Sequence, residues 1–229
     1  MKNYVVIGLG NFGINMAKTL MENDCEVLGI DIEKEHVQKA VDIVSHAIIG
    51  DATNKNVLRS LEVKDFDGAV VSIGQEMGAS ILISLYLKEI GIKRIVVRAI
   101  SEDHVKILEK LGVTDIVFPE KDMAIKLGKL LSMKNTLDYL PLSDEYAILE
   151  ISPPKNFIGK KLKELQITTR YGCQVLGIKF PEINNDIDED LEKKFVTKMA
   201  PSGEDLIPEG SVLIVIGKQE DIEKLQRAR

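Results

Sequence analysis

The chain has 229 residues, of which 45% are hydrophobic and 29% charged, the balance of a globular protein able to build one large core or two modest ones. Trp is absent and aromatic residues make up 5%, so the core must be aliphatic. A formal charge of −6 argues against broad nucleic-acid binding, which needs a basic face.

Residues 1–133 alternate short β-branched runs with helix-length patterns. Strands are predicted at 4–7, 26–30, 47–49, 69–73, 94–97 and 115–118, with helices between them at 12–22, 33–41, 56–61, 79–90 and 102–111. Strand runs that are apolar throughout are buried on both faces, which requires a parallel sheet flanked by helices. The expected fold is therefore α/β, a doubly wound parallel sheet. A last helix over 120–132 carries Met123, Leu127, Leu130 and Leu131 on one stripe. That stripe must be buried, against the chain's own sheet or against a second subunit.

Asn, Pro, Ser and Asp interrupt the pattern over 134–144, and Leu140-Pro141-Leu142-Ser143-Asp144 reads as a linker. Residues 145–229 form a second, smaller α+β lobe, with strands at 146–151, 174–179 and 212–216 and short helices near 160–165 and 219–227. Within it Glu182, Asp186, Asp188, Glu189, Asp190 and Glu192 crowd one loop. That cluster lacks the spaced ligands and central Gly of a calcium loop and reads as a solvated, mobile loop.

Gly8-Leu9-Gly10-Asn11-Phe12-Gly13 directly follows the first predicted strand and opens the first helix, and the second strand ends in an acid, Asp31. In that context the pattern marks a phosphate-binding turn. Gly8 permits the tight turn, Gly10 lets backbone approach a diphosphate, and Gly13 lets helix and strand pack closely. The helix start then offers free N–H groups and its positive dipole end. Asp31 is placed to accept hydrogen bonds from ribose hydroxyls and to repel a 2′-phosphate, as expected for NAD, ADP or ATP rather than NADP. The third strand ends in Gly50-Asp51-Ala52-Thr53. There Asp51 and Thr53 either cap the next helix or border the adenine at the C-terminal edge of the sheet. Arg98 closes the fifth strand on the same edge, where it serves either a bound anion or a structural ion pair.

At these residues the chain resembles the regulatory subunits of Ktr and Trk potassium-uptake systems, the RCK (regulator of potassium conductance) family. The resemblance runs through the Gly8-to-Gly13 turn, Asp31, Ala52-Thr53, Val71-Ser72-Ile73-Gly74 with Ala79-Ser80, and Leu108-Glu109-Lys110-Leu111-Gly112. It continues in Pro119-Glu120-Lys121-Asp122-Met123, Leu142-Ser143-Asp144-Glu145-Tyr146 and Tyr171-Gly172-Cys173-Gln174-Val175-Leu176-Gly177-Ile178-Lys179. It implies a Rossmann-type N-terminal lobe and an RCK C-terminal lobe, each dimerising, with the dimers forming an octameric ring. Such a ring lies beneath a membrane-embedded, potassium-translocating subunit that ATP against ADP would gate. Phe12, Ala52 and Gly74 are implied to join Gly8, Gly10, Gly13, Asp31, Asp51, Thr53 and Arg98 around the nucleotide. The residue matching Glu120 is implied to bind a divalent cation, Mg or Ca, at a dimer interface, although Pro119, Glu120 and Asp122 equally suit a plain first helical turn. In close Ktr relatives an Arg stands where this chain has Asn11 and reaches the terminal phosphate of the neighbouring subunit's nucleotide. Asn donates a hydrogen bond but neutralises no charge, so ATP, ADP and NAD/NADH all remain open. Some relatives also bind cyclic di-AMP between their C-terminal lobes.

Two other classes compete. An NAD-dependent oxidoreductase needs an acid or base beside the nicotinamide, usually from a second domain. His36, His46 and His104 all fall in the first lobe and are expected as surface or packing residues. A redox-sensing transcription regulator needs a basic helical reader, and the C-terminal half is acidic instead. No apolar run approaches the roughly 18–20 residues that span a bilayer, and the N-terminus has no leader pattern. Cys25 and Cys173 form neither a zinc motif nor a disulfide framework. A cytoplasmic protein, held to the membrane's inner face through a partner, is expected.

Overall fold

The computed structural model describes residues 1–74, 76–181 and 195–228. The chain divides into two units, Met1–Asp122 and Met123–Arg229. The acidic loop expected between 182 and 192 lies outside the described residues.

The first unit runs β1 (Lys2–Ile7), α1 (Asn11–Glu22), β2 (Cys25–Asp31), α2 (Lys34–Ala40), β3 (His46–Ile49), α3 (Lys55–Ser60), β4 (Gly68–Val71), α4 (Met77–Ile90), β5 (Ile95–Arg98), α5 (Glu102–Leu111) and β6 (Asp115–Val117), and α6 (Pro119–Ser132) begins in it. All strand pairs are parallel, in the order β3-β2-β1-β4-β5-β6. This is the doubly wound order whose direction reverses between β1 and β4 and leaves a crevice beyond the strands' C-terminal ends. Alternation along β1 divides the core. Val5 and Ile7 pack with Leu28, Val71, Ile83 and Leu87 on one face, and Val6 packs with Val27, Ala17 and Val37 on the other. Burial on both faces is why these strands read as continuous apolar runs. Local chemistry fixes helix starts where the sequence supplies a cap: the Ser101 hydroxyl accepts from His104 N–H at 3.1 Å and opens α5. The fourth strand is shorter than expected. Ser72 keeps one bond to β1, from its N–H to the Ile7 carbonyl at 2.8 Å, and with Ile73 it lines the crevice beyond Val71.

The second unit contains β7 (Thr136–Pro141), β8 (Tyr146–Ile151), α7 (Leu162–Leu165), α8 (Ile167–Tyr171), β9 (Gln174–Pro181), β10 (Phe195–Met199), β11 (Val212–Lys218) and α9 (Gln219–Gln226). Its strands form an antiparallel sheet in the order β10-β9-β11-β8-β7, over a core that includes Leu149, Phe157, Ile178, Leu213 and Leu225. Two expectations are corrected. Most of the stretch read as a linker over 134–144 is β7, an edge strand paired only with β8. Pro141 is tolerated there because an edge strand has one side that needs no ladder bond. The boundary also falls earlier than residue 133, because α6 beyond Asp122 groups with the second unit, where Leu130 packs on the core. Met123, Leu127 and Leu131 of the same stripe remain exposed. Among the described residues no helix is long and apolar enough to cross a membrane.

Candidate functional site

The crevice of the first unit is a cleft of about 930 Å³. One wall is the turn between β1 and α1. Gly8 has φ +91°, in the left-handed region, and its N–H bonds the Ile30 carbonyl at 2.8 Å. A Cβ on Gly13 would overlap the Gly8 carbonyl oxygen and lie 2.7 Å from Ser72 Oγ, the hydroxyl that holds that same carbonyl at 2.9 Å. Gly10 differs: a Cβ there would meet no protein atom within 4 Å, and the residue lines the cleft. It is also the N-cap of α1, with no side-chain cap and no acid in the first turn. The first N–H groups of α1 therefore lack the side-chain partner that such positions usually have, which leaves them to an anion. Asn11 stands exposed at the mouth and Phe12 is half-buried beside it.

Asp31 ends β2 and is only 8% exposed, so it is not the solvated acid that a strand end often carries. Leu9 N–H donates to its Oδ2 at 2.6 Å, Glu33 N–H to its Oδ1 at 2.8 Å, and His36 Nδ1 lies 3.0 Å from Oδ2. The imidazole of His36 thus sets a ring nitrogen against the carboxylate that also takes the two backbone N–H groups. Asp31 thus locks the glycine turn to the start of α2 while it lines the cleft. On the far side, Gly50, Asp51, Ala52 and Thr53 all line the cleft. Asp51 Oδ1 accepts from Thr53 N–H at 2.9 Å and from its hydroxyl at 2.6 Å, closing a local turn. Asp51 and Thr53 are not the cap of α3; Asn54 is, through its Oδ1 and Asn56 N–H at 3.0 Å.

Arg98, ending β5, reaches the same cleft. Its guanidinium lies 5.7 Å from the Phe12 ring centroid. A Cβ at Gly74 would sit 2.6 Å from Nη1, so that glycine makes room for the side chain. Nη2 donates to Glu120 Oε1, from the first turn of α6, and Nε is buried with no partner. The guanidinium holds the Glu120 carboxyl below the usual carboxylate range. Both expected roles of Arg98, ion pair and cleft cation, thus meet at one side chain. For the metal expected at Glu120 the fit is poor within one chain: among the described residues no group of three His, Cys, Asp or Glu side chains could hold an ion.

All the expected cleft residues except Gly13, which packs behind the turn, line one volume, together with Glu120. His36, expected as a surface or packing residue, packs on Asp31 and lines the cleft; the one sequence signal for that place is its position at the start of the helix that follows the strand-end acid. Ser72, the hydroxyl that fixes Gly8, was missed as a site residue because Ser after a strand carries no distinctive pattern. His104 is fully buried in α5, away from the cleft. Cys173 is buried in the second unit, and burial, aided by Asp221, pushes its thiol up to about 11.

Comparison with known proteins places this geometry. The TrkA-N domain family model matches residues 4–119 and the TrkA-C domain model residues 146–228. Ktr system potassium uptake protein C of Bacillus subtilis (strain 168) is 37% identical over 226 residues, covering 99% of this chain and 96% of that protein. Ktr system potassium uptake protein A of the same organism is 38% identical over 225 residues, covering 98% and 96%. Among solved structures, the GsuK channel bound to NAD has a similar fold, with a TM-score of 0.55 at 24% identity. The match covers 99% of this chain and 38% of that one.

Proposed function

The chain belongs to the TrkA-N/TrkA-C family, which includes the Ktr potassium-uptake proteins of Bacillus subtilis, and from that premise we propose that it is the nucleotide-sensing regulatory subunit of a potassium-uptake system. One observation carries the reading: an uncapped helix start, a buried acid and a stacked guanidinium line a single cleft. Asp31 would hold the ribose hydroxyls, the N–H groups at Gly10, Asn11 and Phe12 the diphosphate, and Arg98 the more distant phosphate. The 50–53 turn would border the adenine. The ligand is ATP, ADP or NAD(H), a choice that Asn11 leaves to the phosphate end of the cleft.

The site binds without breaking bonds. Nucleotides that differ in their phosphates bind two conformations of an assembly unequally, and the population shift acts on a membrane-embedded, potassium-translocating partner. Homodimers arranged in a ring supply that assembly, at the cytoplasmic face of the membrane. A divalent cation at Glu120 would require this carboxylate to leave Arg98, with further oxygen ligands from phosphates or a second copy. Cyclic di-AMP, if bound, belongs to the second lobe.

The test is calorimetric titration of the purified protein with ATP, ADP, NAD, NADH and NADP, with the mass of the assembly measured in parallel. At least one of the first four should bind saturably, NADP roughly tenfold or more weakly because of Asp31, and the mass should exceed that of one chain. NADH should not be turned over. Failure to bind any of the four, or a monomer at every concentration, ends this reading.

A further inference from the structure

Among the described residues lining the cleft, Arg98 is the one lysine or arginine, while Asp31, Glu33, Asp51, Glu76 and Glu120 are acids. An anionic ligand therefore enters an acidic cleft in which, beyond the N–H groups at the start of α1, one guanidinium supplies the positive side chain. That guanidinium is already engaged by Glu120, and the engagement is loose in kind. Glu120 is 56% exposed against 21% for Arg98, it bonds one nitrogen only, and the neighbouring Nε stays buried and unpartnered. A phosphate offers three oxygens and can satisfy the fork that one carboxylate oxygen leaves half-used. Partly exposed ion pairs of this kind are weak and easily exchanged.

We infer that Glu120 is a built-in stand-in for phosphate: it neutralises Arg98 while the cleft is empty and is displaced when a nucleotide's phosphate takes the guanidinium. The inference rests on the nucleotide reading of the cleft and deepens it. Displacement frees the first turn of α6 from the end of β5. The chain passes from the first unit to the second within α6, between Asp122 and Met123, so exchange at Arg98 reports cleft occupancy to the segment that joins the two units. It also sets specificity, because a ligand must carry a phosphate that reaches Arg98 to release the helix.

The experiment measures ADP and adenosine affinity by calorimetry in EDTA for the wild-type chain, E120Q, R98Q and the double variant. E120Q should bind ADP roughly three- to tenfold more tightly, because the competing carboxylate is gone, and should leave adenosine affinity unchanged. R98Q should lose roughly tenfold or more. The double variant should match R98Q alone, since with no guanidinium there is nothing to compete for. Hydrogen exchange of the amides of Glu120 and Asp122 should quicken on ADP binding in the wild type and be fast in E120Q without ligand. Equal or weaker ADP binding by E120Q in EDTA, or additive effects in the double variant, overturns the exchange even if the wild type binds ADP normally. A wild type that binds no nucleotide would instead defeat the functional reading beneath it.

Discussion

Gly10 and Gly13 look equivalent in the glycine pattern, yet a methyl group has opposite consequences at each. At Gly13 it overlaps the Gly8 carbonyl and crowds Ser72, so Gly13→Ala forces backbone apart. Overpacking of this kind costs about 1–3 kcal/mol or more, and the variant should unfold at clearly lower denaturant than the wild type. At Gly10 the backbone is extended, with φ −65° and ψ −172°, and the space is open. Gly10→Ala should therefore keep wild-type stability while losing roughly tenfold or more in nucleotide affinity, because the methyl stands where a diphosphate approaches. Urea titration and calorimetry on both variants decide it: equal stability losses would show that Gly10 serves the fold rather than the ligand. This asymmetry also explains what was legible in the sequence. Glycine, strand-end acid and strand-end arginine announce themselves because each is the residue type that one backbone or charge problem demands. His36 and Ser72 do not, since their roles come from where the folded chain carries Asp31 and Gly8.

At the scale of elements, α5 carries a pH dependence unrelated to the cleft. His104 is fully buried, its Nδ1 accepts from Ile100 N–H at 3.4 Å, and its Nε2 has no partner. Burial lowers its pKa below the ordinary 6.5. The unfolded chain therefore takes up a proton near pH 6.5 that the folded chain refuses. This contribution to stability is intact above that pH and is lost as pH falls toward the folded value. Denaturant unfolding at pH 7.5 and 5.5 should show a larger acid loss for the wild type than for His104→Leu; equal losses would mean that α5 accommodates the charge. The strands divide in the same physical way. The central strands of the first unit were readable because burial on both faces makes them uniformly apolar, as in Ala69-Val70-Val71 of β4. β7 and β10 were not, because edge strands show little of the core in their side chains. β10 is exposed along its whole length, and Tyr139 is the one fully buried residue of β7. Their strand character comes from β8 and β9 offering ladders, which a local reading cannot see.

At the scale of the whole molecule, the exposed side of α6 and the net charge act in opposite directions. Met123 and Leu127 are about half exposed, at 54% and 47%, and Leu131 is 87% exposed. Full burial of such a side chain contributes about 1.5–3 kcal/mol, so in the homodimer proposed above this face is the candidate contact. A formal charge of −6 per chain opposes it, since two like-charged subunits repel over roughly 10 Å at 0.1 M salt. The balance has a sign that can be measured. Raising salt from about 0.05 to 0.5 M screens the repulsion and leaves apolar contact intact, so self-association of the wild type should strengthen. Leu131→Asp puts a charge into the apolar face and adds to the repulsion, so it should weaken association by roughly tenfold or more at low salt, with only part of the loss recovered at high salt. Sedimentation over a dilution series at both salt concentrations separates the cases. Association that weakens with salt would show that charge pairs, not the α6 stripe, hold the assembly. Identical dilution curves for Leu131→Asp and the wild type would place the contact on another face.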